Sequence, residues 1–148
     1  MEKTNESSSG IEEETGNYLQ LFFYRAPKKN HESIAKNLKQ FIPWFKKHGA
    51  RIEYYQFGNS ETQAAIDSAK KSGMDVMESI IKSLSTAAED DEEEIWMELQ
   101  YFRDYKHCED VYAKMMQDKS IEQIGNEFFG LLTQGKKLIT GGFHQLRA

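Results

Sequence analysis

Four stretches of the chain have the apolar pattern of β-strands. Residues 18–24 are rich in aromatic side chains and show no helical stripe, so they predict the first strand. Residues 51–57, 95–102 and 137–146 predict the second, third and fourth strands. Between these stretches apolar residues recur three and four positions apart, which is the period of an amphipathic helix.

The helical stretch after the first strand has recognisable end signals. Asn30 is a good N-cap, and Gly49 is a typical stop after a cationic last turn. Pro43 lies inside this stretch and removes one backbone hydrogen bond. We therefore expect a single helix with a kink near Pro43.

Further helices are expected on either side of the third strand. Residues 61–86 predict a helical region that Gly73 divides into two pieces. Asp104 predicts the start of a helix after strand three, and Ser120 with Gln123 has the capping-box pattern for the next. The order is β-α-β, a helical insert, then β-α-α-β. It predicts an α+β fold of the ferredoxin-like, split βαβ type, with a four-stranded antiparallel sheet and helices on one face.

Composition divides the chain into a tail and one domain. Residues 1–16 hold five glutamates and no large apolar cluster, so we expect a disordered acidic tail. Residues 17–148 are expected to form a single domain, within which residues 60–93 make the helical insert and an acidic loop. Residues 89–94 are six consecutive acids, which is typical of a solvated loop and lacks the spacing of a calcium-binding loop.

The overall charge and the cysteine count exclude several classes of protein. A formal net charge of -5 over 148 residues argues against binding to nucleic acid backbones. The only cysteine, Cys108, cannot form an intrachain disulfide, and no histidine spacing is typical of a metal site. No apolar run is long enough for a membrane span and the N-terminus has no signal character, so we expect a cytoplasmic protein without metal or cofactor.

Three stretches carry a resemblance to a known family. They are PWFKKHGA at 43–50, His107 with AKMMQD at 113–118, and GKKLITGGF at 135–143. In these the chain resembles the YbaA-like family, an uncharacterised family of the dimeric α+β barrel superfamily, over about residues 18–146. The insert at 60–93 departs from the family, and so does Lys119, where proline is usual.

The resemblance implies a homodimer in which two ferredoxin-like subunits pair sheet face to sheet face. Its superfamily includes cofactor-free monooxygenases and haem-degrading enzymes. The YbaA-like family itself has no established activity, so the resemblance implies no catalytic residue.

Strand alternation divides the sheet residues into two faces. One set is apolar and is expected to pack under the helices: Leu19, Leu21, Phe23, Ile95, Met97, Leu99, Ile139 and Phe143. The other set mixes aromatic and polar side chains: Tyr18, Gln20, Phe22, Tyr24, Trp96, Glu98, Gln100, Leu138, Thr140, Gly142 and His144. Because monomers rarely expose a large aromatic face, the second set predicts a homodimer whose paired sheets enclose a partly polar cavity.

Six side chains of the second face are the candidate ligand-binding residues: Gln20, Tyr24, Trp96, Glu98, Thr140 and His144. Glu98 and His144 are also the candidate catalytic residues. A buried carboxyl has a raised pKa and a histidine titrates near neutrality, so the two could form an acid/base pair. The alternative is that they only hold the dimer together.

Two functional hypotheses follow. The first is a small-molecule-binding dimer, a cofactor-independent oxygenase or isomerase with its pocket between the paired sheets. The alternative is a non-catalytic protein-interaction or regulatory module that uses the helical insert and the acidic run. Both stay open at this point.

Overall fold

The computed structural model describes residues 16–85, 92–133 and 139–146. Its strands are β1 (Tyr18–Pro27), β2 (Arg51–Gln56), β3 (Glu93–Phe102) and β4 (Ile139–His144). They form one antiparallel sheet in the order β2-β3-β1-β4. The predicted α+β class and the four-stranded antiparallel sheet are confirmed.

Helices occupy the positions that the sequence predicted, with some different ends. A short 3₁₀ turn, Lys28–Asn30, leads into the first of them. The helices are α1 (His31–Lys39), α2 (Phe41–Lys47), α3 (Asn59–Lys71), α4 (Asp75–Ser85), α5 (Tyr105–Gln117) and α6 (Lys119–Leu131).

The stretch expected to be one kinked helix is two helices, α1 and α2. Pro43 has no backbone N–H to donate to the carbonyl of Lys39. The break between the two helices falls at Gln40, directly after Lys39. Gly49 ends α2 with a φ of +77°, as predicted. Asn30 precedes α1 as predicted, but its side chain donates to a carbonyl of α6 instead of capping α1.

Aspartates cap both helices that follow β3. Asp104 caps α5 as predicted, and one of its carboxylate oxygens accepts from the backbone N–H of His107 at 2.8 Å. The cap of α6 is Asp118, whose Oδ1 accepts from the N–H groups of Ser120 and Ile121 at 3.0 and 3.4 Å. The capping-box prediction at Ser120 was therefore wrong by two residues.

The core lies between one face of the sheet and helices α1, α2, α5 and α6, and it reverses the predicted faces. Tyr24, Trp96 and Phe102 belong to a single buried cluster with helix residues such as Leu38 and Val111. The face expected to meet a partner chain is therefore the face under the helices.

The opposite face carries the set that we had expected to be covered. Leu21, Met97 and Leu99 are only partly buried there, and Ile139 and Phe143 are exposed. Alternation assigns residues to a face, but both faces are rich in apolar atoms and the pattern does not say which one the helices cover. The aromatic rings of the second set fill the core, and its polar groups bond to one another.

The insert consists of two helices divided at Gly73, as predicted. Gly73 has a φ of +68° at the turn between α3 and α4, and the two helices pack against each other. The predicted acidic loop was wrong at Glu93 and Glu94, which are buried residues of β3. Residues 89–91 of the acidic run, residues 137–138 of the predicted fourth strand and residues 1–15 of the predicted tail lie outside the described residues.

Gly16 is the last residue of the predicted tail, and it contacts the domain. Gly16 donates its backbone N–H to the carbonyl of Phe102 at 2.9 Å, so it pairs with the fold. Within residues 16–85, 92–133 and 139–146, no helix is long and apolar enough to cross a membrane.

Candidate functional site

A cavity of about 440 Å³ lies between the covered sheet face and the helices. This volume is within the usual range for small-molecule sites, roughly 300–1,000 Å³. Most of its lining is aromatic or aliphatic. The lining residues are Phe22, Tyr24, Leu38, Phe41, Phe45, Glu98, Gln100, Tyr112, Met115, Met116, Ile121, Glu122, Gly125, Asn126, Phe128 and Phe129.

Glu98 is the carboxyl group on the sheet side of this cavity. Only 8% of the residue is exposed. The hydroxyl of Tyr24 donates to its Oε1 at 3.2 Å, and Nε2 of Gln100 donates to its Oε2 at 2.5 Å. The hydroxyl of Tyr112, on α5, donates in turn to Oε1 of Gln100. Strand and helix residues thus form one hydrogen-bonded chain that fixes the orientation of the carboxyl.

Burial controls the protonation of Glu98. Removal of the carboxyl from water raises its pKa to about 7, although the hydrogen bonds from Gln100 and Tyr24 lower it. Near neutral pH the protonated and ionised forms of Glu98 are therefore both populated. Such a carboxyl can donate a proton or accept one, which is the requirement for general acid or base chemistry.

Tyrosine hydroxyls surround this carboxyl. Tyr54 lies opposite Glu98 in the β2–β3 register, and burial followed by the Glu98 charge raises its pKa. The Tyr54 hydroxyl is buried and has no hydrogen-bond partner within the described part of the chain. Burial also raises the pKa values of Tyr24 and Tyr112, so all three hydroxyls stay protonated at neutral pH.

Only two of the six predicted ligand-binding residues, Tyr24 and Glu98, line the cavity. Trp96 is buried in the core, but its Nε1 donates to Glu94 at 2.9 Å. Gln20 and Thr140 bond to each other at 3.1 Å between β1 and β4.

His144 is the sixth predicted residue, and its predicted pairing with Glu98 is wrong. Strand β1 lies between them: Glu98 is opposite Phe22, whereas His144 is opposite Tyr18. Four strand residues span about 13 Å, and two strand spacings separate the residues laterally. The ring of His144 packs edge-on against Tyr18, with centroids 5.0 Å apart, and the residue is exposed.

Sequence reasoning missed the helix side of the site. Gln100 was placed on the same face as Glu98 but not among the candidate residues, although alternation puts it two positions from Glu98 on the same strand. Tyr112 lies on α5 with the apolar residues Cys108, Val111 and Met115 at helical spacing, and nothing in that spacing signals that its hydroxyl reaches the sheet. Helices α2 and α6 also contribute Phe41 and Phe128, whose apolar helical spacing indicates only core packing.

A second polar cluster lies at the start of β3. Glu94 accepts from Gln56 at 2.8 Å and from Trp96, and Nδ1 of His31 lies 2.8 Å from its Oε1. Glu93 pairs with Arg25 at 2.6 Å. The acids that were expected in a solvated loop therefore tie β1, β2 and β3 to the start of α1.

Comparisons with known proteins add no family. No protein-family model matches the chain, and no curated protein matches it. Among the described residues, no group of three or more His, Cys, Asp and Glu side chains is placed to hold a metal ion. Function is therefore inferred from the chemistry of the cavity alone.

Proposed function

We propose that the protein binds an apolar small molecule with a hydrogen-bonding group in the cavity under the helices. We further propose that Glu98 exchanges a proton with this molecule, as the acid or base of a cofactor-independent isomerase. The observation that carries the proposal is an oriented carboxyl group with a pKa of about 7 on the wall of an otherwise largely apolar cavity. The pocket belongs to one subunit and does not lie between paired sheets.

The chemistry is a proton transfer beside a carbonyl group. Ionised Glu98 takes a proton from the adjacent carbon, and the electron pair of the broken C–H bond moves into the resulting enolate. Protonated Glu98 then returns the proton to the same or a neighbouring carbon. The reaction needs no oxidant, and Tyr24 and Gln100 hold the carboxyl in place throughout.

The finer features of the fold are part of this proposal. The strand order β2-β3-β1-β4, with the core helices on one face, supports the ferredoxin-like arrangement. The partly buried apolar side chains of the open face support a homodimer of the α+β barrel type. This dimer would use the Leu21 and Leu99 face, whereas the predicted interface at Trp96 and Phe22 lies under the helices.

A solvatochromic ketone dye tests the proposal without a known substrate. Prodan is neutral and carries a carbonyl with exchangeable protons on the next carbon. Protonated Glu98 can donate to a carbonyl oxygen and ionised Glu98 cannot, so prodan affinity should fall about tenfold as the pH rises through about 7. Wild-type protein should also accelerate deuterium exchange at that carbon, as followed by NMR.

Glu98→Gln is the diagnostic variant. Its amide still donates a hydrogen bond but does not titrate, so prodan should bind independently of pH and exchange should stop. If wild-type protein leaves the emission of prodan unchanged, the binding proposal fails. If the variant exchanges deuterium as fast as the wild type, the acid/base role fails.

A protein-interaction role for the insert is the second candidate, because α4 exposes apolar side chains. Val76, Met77 and Ile80 are 76%, 44% and 60% exposed. Val76→Ser is therefore the matched control for the dye experiment, since it alters the insert and leaves the cavity intact. If Val76→Ser changed prodan binding and Glu98→Gln did not, the insert would be the functional surface.

A further inference from the structure

Gly125 is a glycine in the middle of α6 that the fold itself does not require. Glycine in a helix interior costs about 1 kcal/mol relative to alanine. A Cβ added at Gly125 would meet no atom within 4 Å, so no close packing explains the missing side chain. Gly125 also borders the cavity. A side chain at Gly125 would therefore have room at the border of the cavity.

The part of the lining that reaches the surface carries large apolar side chains beside two exposed polar residues, Glu122 and Asn126. Met116 on α5 is 83% exposed and Phe129 on α6 is 54% exposed, and both line the cavity. Glu98 and Gln100, by contrast, are buried on the sheet side. The cavity thus has a buried carboxyl at its inner end and exposed apolar side chains at its outer end, and Gly125 lies on the helix that borders the outer end.

The lining offers little to compensate a charged ligand for its lost hydration. Its two ionisable carboxyl groups are Glu98 and Glu122, and none of the described lining residues is Lys, Arg or His. A carboxylate ligand would lie near Glu98 without a cation, which is costly in an apolar site. An ammonium ligand would lose its hydration in this largely apolar cavity, and the buried carboxyl that would pair with it is partly protonated near neutral pH.

We infer that the ligand is a neutral, elongated molecule whose carbonyl or hydroxyl end lies at Glu98. Its apolar end leaves the cavity between α5 and α6, over Gly125 and between Met116 and Phe129. This inference rests on the proposed function and adds the ligand class and the route of entry.

The two glycines of α6 allow a matched experiment. Gly125→Leu fills the space at the cavity mouth, whereas Gly130→Leu places the same side chain on an exposed position that also has no atom within 4 Å of an added Cβ. Both changes favour the helix, so neither should lower the melting temperature. Titration calorimetry with decanone should give a dissociation constant at least tenfold higher for Gly125→Leu and an unchanged one for Gly130→Leu.

Ligand charge is tested on the wild type with decanone, decanol, decanoate and decylamine, which share one chain length. The two neutral probes should bind at least tenfold more tightly than the two ions. Decanoate or decylamine binding as tightly as decanone would overturn the ligand class. Unchanged decanone binding by Gly125→Leu would overturn the route.

Failure of the inference can be distinguished from failure of the proposed function. If prodan binds and responds to Glu98→Gln but decanoate or decylamine binds as tightly as decanone, the proposed function stands and the inferred ligand class is wrong. If neither prodan nor decanone binds the wild type, the proposed function fails and the inference fails with it.

Discussion

Glu98 should make the stability of the protein depend on pH. Its pKa rises from 4.5 to about 7 on folding, mainly because the carboxyl is buried. Between these two values the folded state holds a proton that the unfolded state has released. The contribution of Glu98 to the free energy of unfolding is therefore greatest below about pH 4.5. It decreases by roughly 3 kcal/mol as the pH rises through 7.

Urea unfolding of the wild type and Glu98→Gln at pH 5 and pH 8 measures this effect. Glutamine has nearly the same shape and no charge, so its stability lacks this dependence. The free energy of unfolding of the variant minus that of the wild type should be roughly 2–3 kcal/mol larger at pH 8 than at pH 5, because only the wild type loses stability as the pH rises. An equal difference at pH 5 and pH 8 would show that Glu98 is not desolvated in the folded protein.

The sequence identifies Glu98 and Tyr24 as candidate site residues, but not their neighbours. Alternation along a strand shows which side chains share a face, and both assignments follow from it. It does not give the lateral order of strands. His144 was paired with Glu98 for that reason, whereas β1 lies between β3 and β4 and separates the two residues.

Among the elements, β4 can pair with β1 because Gly142 lies very close to the side chain of Tyr18. A Cβ added at Gly142 would lie 1.8 Å from the Tyr18 hydroxyl oxygen and 2.7 Å from Cζ. Tyr18 is buried, and its ring packs edge-on against Tyr105 and His144 at 5.3 and 5.0 Å. The tyrosine therefore has little freedom to move away, and Gly142 allows β4 to pair with β1 beside it.

Gly142→Ala should destabilise the protein by about 1–3 kcal/mol, since it forces overpacking against Tyr18. Gly141→Ala is the control, because the nearest atom to its added Cβ, on Phe143, is 3.5 Å away. That change should stay within about 0.5 kcal/mol. Equal unfolding free energies for the two variants, from urea titrations, would mean that Tyr18 adjusts without cost.

The positions of the helices and strands could be predicted from periodicity and stop signals. The break between α1 and α2 could not. The proline rule predicts a lost hydrogen bond near Pro43, but it does not decide between a kink and two helices. The start of β3 was missed for a different reason. Glu93 and Glu94 read as solvent-exposed acids, and they are buried because Arg25 and His31 come from distant parts of the chain.

At the scale of the whole molecule, the same sheet has a covered face and an open face with different roles. The covered face holds the cavity and its carboxyl. The open face carries partly buried leucines on the two central strands, with Leu21 opposite Leu99 in the register, and exposed Ile139 and Phe143 on β4. Monomers rarely expose an apolar area of this kind, so the second copy proposed above is expected to cover it.

Leu21→Glu should separate the proposed dimer into monomers. It places a charge at the centre of the open face, where a partner chain would have to bury it without a cation. Ile42→Glu is the control: Ile42 is 42% exposed and lies on α2, on the other side of the sheet. In sedimentation experiments at micromolar concentration, the wild type and Ile42→Glu should have twice the chain mass and Leu21→Glu the mass of one chain, while circular dichroism shows all three folded. A monomeric wild type, or a Leu21→Glu variant that stays dimeric, would show that this face is not the interface.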